Sequence, residues 1–293
     1  MSQSFYGSGI NSVYKEICYA LIYNPDYILK PRNLKTAEIL NAHIYITNPR
    51  KRILTLKSRN ISYRYLAGEL CFYLSGSRSL KFISHYSKFW NKISDDGRTV
   101  NSCYGYKVFK KKVNYITQFE YAEYQLLKDK DTRKAIIMMH TDENNVLKTN
   151  DNICTIYLQF FIRSNHLILI THMRSNDIFF GLTYDIPFFT IVQEIMLIHL
   201  QEKYPDLILG SYIHNAGSLH FYEKDYDKVL ACSKEGSLFL PSEKMPWMTR
   251  QTLKEFPLLL KHEKQLRLKG EAKDKKIFMD PFLLTLERWL EKK

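Results

Sequence analysis

The sequence predicts an α+β protein built on a large mixed β-sheet packed with helices. Three observations carry this. Helical and strand patterns are intermixed without strict βαβ alternation, which argues against a purely parallel sheet. Cys154 to Arg163 and His166 to Met173 read as strands separated only by Ser164-Asn165, the spacing of a tight hairpin. Pro187 then opens a long apolar run to about Glu202 that reads as a helix, with proline tolerated in its first turn.

The other elements follow in order. Ile10, Val13, Tyr14, Ile17 and Leu21 share one helical face, and Asn24-Pro25-Asp26 ends that helix. Ile39 to Thr47 reads as strand. A second helix is predicted from Ser62 to Leu74, with Gly76 suited to the position just past its end. Asp95 to Tyr106 carries loop signals, and Ala135 to Met139 is an apolar run suited to a buried strand. Leu207 to Ile213 and Leu219 to Tyr222 read as two further strands. Beyond Pro241 the pattern loosens into a basic segment, Lys261 to Lys276, and a short amphipathic end, Phe282 to Leu290. Residues 1–240 are thus expected to form one domain, with 241–293 a basic C-terminal segment packed on it.

With 293 residues and 45% hydrophobic content, the chain can bury one large core or two small ones. The apolar stretches are too short and too interrupted for a membrane span. Met1 to Phe5 shows neither the basic nor the apolar part of a secretory signal, so a cytoplasmic location is expected, in a host cell if the abundance of Lys, Asn, Ile and Tyr reflects a phage genome. The five cysteines lack disulfide or zinc spacing, so reduced thiols and no metal are expected. A net charge of +13 suits small anionic substrates, nucleic acid or simple solubility, and does not choose among them.

Four segments stand out: Asn101-Ser102-Cys103-Tyr104-Gly105-Tyr106; Asp131-Thr132-Arg133-Lys134; Cys154 through Arg174-Ser175-Asn176-Asp177 to Gly181-Leu182-Thr183-Tyr184-Asp185; and His214 through Gly217-Ser218-Leu219-His220-Phe221-Tyr222. Together, over about residues 30 to 230, they resemble the thymidylate synthase family, whose pattern is a catalytic Cys on a strand, Arg-Ser-x-Asp, Leu-Gly-x-Pro-Phe-Asn and Gly-Asp-x-His-x-Tyr. The Cys-Thr pair, Met-Arg-Ser-Asn-Asp and Gly-Ser-Leu-His-x-Tyr are most similar to its phage deoxycytidylate hydroxymethylase branch. One segment alone would be weak; four in order are specific.

The resemblance implies a thymidylate-synthase-type fold in a sheet-mediated homodimer. It also implies transfer of a one-carbon unit from 5,10-methylenetetrahydrofolate to a pyrimidine nucleoside monophosphate. The chemistry of the residues agrees. C5 of a pyrimidine is a poor nucleophile until a thiolate adds to C6, and a thiolate at neutral pH needs a nearby cation. Cys154 with Arg174 fits, although a buried strand cysteine is the commoner fate of that residue. Arg174 and Ser175 are implied to hold the phosphate, with Arg133 and Lys134 reaching the neighbouring subunit's phosphate; alone, that stretch would read as a solvated turn. Arg32 is the nearest arginine to the family's mobile phosphate loop, although the alignment sets Pro31 at that position. His220 and Tyr222 are implied to hold the sugar hydroxyl, and alternation puts both on one strand face.

Glu69, with Tyr65 and Tyr73 four residues either side, needs a partner, a proton or a function. The family assigns it water and proton handling, Tyr104 removal of the C5 proton and Trp90 a place near the folate. Core packing is the alternative for both aromatics. Asp177 is implied to bind the pterin, with a strand-end cap as the alternative, and Gly181 lies in the same folate-binding stretch. Asp185 replaces the Asn with which thymidylate synthases read uracil. A carboxylate suits the amino group of cytosine, so the position reads as selection for dCMP, against a plain helix cap. Ile153-Cys154-Thr155 replaces the family's Pro-Cys-His, and Trp289 to Lys293 lacks its apolar tail. Both disfavour hydride transfer and favour water addition, giving 5-hydroxymethyl-dCMP. CMP or dUMP as substrate, or a basic nucleic-acid-binding protein on this scaffold, are the competing readings.

Overall fold

The structure is a computed structural model describing residues 3–236, 244–271 and 278–292. In chain order its elements are β1 (Ser4–Gly7), α1 (Ile10–Tyr23), β2 (Tyr27–Leu29), β3 (Thr36–Ile46), α2 (Tyr63–Ser75), α3 (Leu80–Ile83), α4 (Trp90–Ile93) and α5 (Tyr104–Phe109). There follow β4 (Lys112–Val113), β5 (Ile116–Thr117), α6 (Gln118–Lys128), β6 (Ile136–Met138), β7 (Thr155–Arg163), β8 (His166–Met173) and β9 (Asn176–Asp177). The last are α7 (Thr183–Leu200), β10 (Ile208–Tyr222), α8 (Tyr226–Lys234), α9 (Arg250–Lys269) and α10 (Pro281–Leu290). The expected α+β class with a mixed sheet is found: eight strands run β1-β3-β10-β8-β7-β6, with β2 on β3 and β9 on β10.

The chain divides into two compact units. The first comprises Met1–Ile61, Gln125–Ile136 and Cys154–Met245. Its hairpin forms as predicted, because Ser164 and Asn165 take φ of 47° and 60°, the left-handed pair that matches strand twist in a two-residue turn. Two expectations are corrected here. The strands predicted at 207–213 and 219–222 are one continuous strand, β10, paired antiparallel with β3 from Tyr212 to Tyr222 while its other edge passes from β8 to β9. Gly217 permits that changeover, since a Cβ there would lie 3.1 Å from the Arg174 carbonyl oxygen. The long apolar helix starts at Thr183 rather than Pro187, running on from a π-helical turn, Ile178–Leu182; Pro187 therefore lies inside it. Every residue of α7 but His199 is buried, so its length and apolarity serve the core. Within that core Arg52 pairs with Glu194, both almost inaccessible.

The second unit comprises Ser62–Tyr124, Ile137–Ile153 and Pro246–Lys293. Here α2 is the central helix, with α5, α9 and α10 packed on it. Ser62 caps α2 by accepting from the Tyr65 N–H, and Gly76 ends it at φ 67°. The predicted loop from Asp95 turns helical at Tyr104, where α5 begins; Gly105 allows this because a Cβ would run into the Tyr73 carbonyl. The loosened C-terminal pattern is chiefly two helices, α9 being 20 residues long with a Thr249 cap and Gly270 at its end. The predicted loosening at Pro241 and residues 272–277 of the basic segment lie outside the described residues.

Candidate active site

Cys154 stands immediately before β7, one residue outside the strand expected to carry it. The β7–β8 pairing brings Arg174 beside it: the Arg174 N–H donates to the Cys154 carbonyl at 2.9 Å, and its Nη2 lies 3.7 Å from Sγ. All five cysteines are free, and the other four are buried. Burial pushes the thiols of Cys18 and Cys71 well up and that of Cys103 to about 12, which leaves them inert at neutral pH. The Cys232 thiol is instead lowered, by its hydrogen bond with Cys18, and Cys154 differs from all four in being partly exposed with a guanidinium beside it.

The next residues build a compact polar site at the end of the sheet. Ser175 is half-buried beside Arg174. Asp177 accepts from the N–H groups of Phe179 and Phe180 at 2.9 and 3.2 Å, so the cap role is realised in the structure. Each carboxylate oxygen retains a second lone pair, so a pterin N–H is still within its chemistry. Burial raises its pKa, although the turn N–H groups and His220 oppose this. Arg59 braces the turn from below, donating to the Phe179 carbonyl with its guanidinium 3.8 Å from that ring's centroid. Gly181 lets the turn pack against these polar groups, since a Cβ would lie 2.7 Å from Asn176 Nδ2, closer than contact allows, and 3.3 Å from Asp185 Oδ2. Asp185 is not the cap of α7. It lies in the first turn, and its Oδ2 accepts from Asn176 Nδ2 at 2.7 Å.

Further along β10, His220 and Tyr222 stand with ring centroids 5.3 Å apart, and Arg32 Nη2 donates to the Tyr222 hydroxyl at 3.3 Å. Arg32 reaches it from the turn Pro31–Asn33, where it takes the left-handed φ of 52°, an unusual conformation for a side-chain-bearing residue. Arg133 and Lys134 are both exposed on the segment ahead of β6, away from intrachain ion pairs among the described residues.

The second unit holds the remaining predicted residues. Glu69 is buried on α2, and Tyr65 Oη donates to its Oε1 at 2.7 Å. The same hydroxyl accepts from Trp90 Nε1 at 3.1 Å, while Tyr73 stacks on Tyr104 with centroids 5.3 Å apart. Burial raises the pKa of Glu69 to about 7, against the lowering effect of hydrogen bonds from Tyr65 and Tyr73. Elsewhere in this unit His262 Nε2 lies 3.3 Å and 3.9 Å from Glu291 and Glu287, a trio of metal-capable groups that cysteine spacing could not foretell.

The thymidylate synthase family model matches residues 12–270. The chain belongs to the thymidylate synthase family. It is 30% identical over 233 residues to a deoxyuridylate hydroxymethyltransferase of Bacillus phage SP01, covering 76% of this chain and 60% of that protein. It is 27% identical over 209 residues to the deoxycytidylate 5-hydroxymethyltransferase of Enterobacteria phage T4, covering 69% and 81%. A thymidylate synthase of Wigglesworthia glossinidia brevipalpis is 24% identical over 191 residues, covering 64% and 70%. The chain thus spans about 60% of the length of the deoxyuridylate hydroxymethyltransferase it matches.

The sequence assigned no role to Asn176, His214 and Arg59, which the structure joins to Asp185, to Asn176 and to the Phe179 turn respectively. The first two lie in quoted motifs and carry polar groups at strand positions. For His214 the signal was its two-residue spacing from Tyr212 on one face of β10. Arg59 had no local signal, because its partners are about 120 residues away.

Proposed function

We propose that this protein is a folate-dependent pyrimidine nucleotide C5 hydroxymethyltransferase that converts dCMP to 5-hydroxymethyl-dCMP through a covalent bond between Cys154 and C6. The observation that carries the reading is the Arg174 guanidinium 3.7 Å from the half-buried Cys154 sulfur. A cation at that distance favours the thiolate, the form that adds to C6. Addition makes C5 nucleophilic; 5,10-methylenetetrahydrofolate supplies the carbon that C5 accepts. Loss of the C5 proton with breaking of the bond from that carbon to tetrahydrofolate, which departs, leaves an exocyclic methylene; water adds to it, and expulsion of the Cys154 thiolate restores the aromatic ring. The net inputs are dCMP, methylenetetrahydrofolate and water; the products are 5-hydroxymethyl-dCMP and tetrahydrofolate.

In this reading Arg174, Ser175 and Arg32 bind the phosphate, and His220 and Tyr222 bind the sugar hydroxyl. Arg133 and Lys134 serve the phosphate of a second copy in a homodimer. Asp177, Gly181 and Trp90 serve the folate, while Glu69 and Tyr104 handle protons. A carboxyl group with a pKa of about 7 is suited to that task at neutral pH. Asp185 supports cytosine, since a carboxylate accepts from the exocyclic amine. Uracil has its own support, in the two phage deoxyuridylate hydroxymethyltransferases at 30% and 27% identity.

The test is incubation with methylenetetrahydrofolate and each of dCMP, CMP, dUMP and UMP, with products identified by mass. The expected result is 5-hydroxymethyl-dCMP without dihydrofolate. Dihydrofolate formed in step with product makes the enzyme a methylase, and preference for dUMP overturns the cytosine reading. Cys154→Ser should lower exchange of the C5 hydrogen with solvent by more than about a thousandfold, as loss of a nucleophile does.

A further inference from the structure

Asp185 joins a buried chain of hydrogen bonds that none of the roles above uses. The Tyr212 hydroxyl lies 2.8 Å from His214 Nδ1, His214 Nε2 lies 3.1 Å from Asn176 Oδ1, and Asn176 Nδ2 lies 2.7 Å from Asp185 Oδ2. Tyr212 and His214 are fully buried, and Asn176 is 2% exposed. Burial, with His172 adding to it, pulls the pKa of His214 down to about 3, so its ring is neutral. A neutral imidazole has one donor and one acceptor nitrogen. An amide oxygen facing Nε2 requires the proton there, so Nδ1 accepts from Tyr212. Each donor is then used once, and the Asn176 amino group is left facing Asp185. Reversing that last bond would require the amide to turn over and the imidazole to change tautomer together.

We propose that Asn176, locked by His214, is a specificity-determining positioning residue whose amide keeps Asp185 a hydrogen-bond acceptor and so selects cytosine over uracil. This rests on the cytosine reading of Asp185. A donor on Oδ2 holds that oxygen as an acceptor. The amino group of cytosine then meets an acceptor. The O4 of uracil, itself an acceptor, meets no donor. A polar group left without its partner in a closed site is rejected far more strongly than a slightly misfitting apolar one.

The experiment measures kcat/KM and Kd for dCMP and for dUMP with the full chain and three variants. Asn176→Asp keeps the shape but removes the donor and sets a second carboxyl against Asp185; the pair then retains a proton. The dCMP-to-dUMP ratio should fall by about tenfold or more, the scale of a lost polar match. His214→Phe frees the amide to turn and should lower the ratio in the same direction. His214→Gln, whose amide nitrogen can take the place of Nε2, should restore it. A damaged fold depresses both nucleotides together and leaves the ratio alone. A wild-type preference for dCMP that persists unchanged in both Asn176→Asp and His214→Phe overturns this proposal alone. A wild-type preference for dUMP overturns the cytosine reading, and this proposal with it.

Discussion

Glu194 in the first unit and Glu69 in the second are both buried on helices, and the two are held in opposite ways. Glu194 on α7 is paired with the Arg52 guanidinium in the core of the first unit. Glu69 on α2 has no cation among its partners in the described residues; tyrosine hydroxyls hold it, and its pKa rises to about 7. The difference is chemical. A buried carboxylate with a matched cation is fixed in one charge state and serves architecture, whereas one held by neutral donors loses hydration without full compensation and becomes easy to protonate. A strongly perturbed carboxyl group marks a functional candidate better than burial alone does.

The largest way to break the comparison is at Arg52. Arg52→Ala leaves Glu194 buried without its cation and should destabilise the protein by about 3–5 kcal/mol, read from urea unfolding. Replacing the pair together, Arg52→Met with Glu194→Leu, should recover most of that loss, since apolar replacement of a whole buried pair is often neutral. If the double variant is as unstable as the single, the pair is not the isolated architectural unit described here.

Glu69→Gln should act in the other direction. The folded pKa of about 7 lies above the ordinary 4.5, so the neutral form is the one the fold favours. Its stabilising contribution is full below about pH 4.5 and is lost as the pH rises through 7. The variant should therefore match wild type at acid pH and exceed it above neutrality by up to about 3 kcal/mol, the linkage equivalent of such a shift. Activity should fall if Glu69 handles protons. Equal pH profiles of stability for variant and wild type would remove the distinction between the two glutamates.

The smallest effect sharpens the picture. Tyr65→Phe deletes the hydroxyl that donates to Glu69 and accepts from Trp90, at a cost of about 1–2 kcal/mol. Because that hydrogen bond lowers the Glu69 pKa, its loss should move the carboxyl's titration above 7, which carbon NMR of the labelled side chain would detect.

The sequence by itself determined the class of fold, the hairpin after Cys154, the capped helix around Glu69 and the set of family residues. These are local properties: alternation, turn residues and helix caps act over a few positions, and a motif spans a dozen. It also made Glu69 conspicuous, as a charge between two tyrosines on one apolar face. Tertiary structure alone decided that β10 is one strand, because its continuity depends on an edge passing from β8 to β9. It decided that α7 begins at Thr183, where the turn ahead of it is held by Asp177 and by the distant Arg59. It decided, too, that Asp185 meets an amide rather than capping a helix. Hydrogen bonds between segments far apart in the chain leave no periodic trace in it, so what a buried polar group touches is settled only when the strands pair.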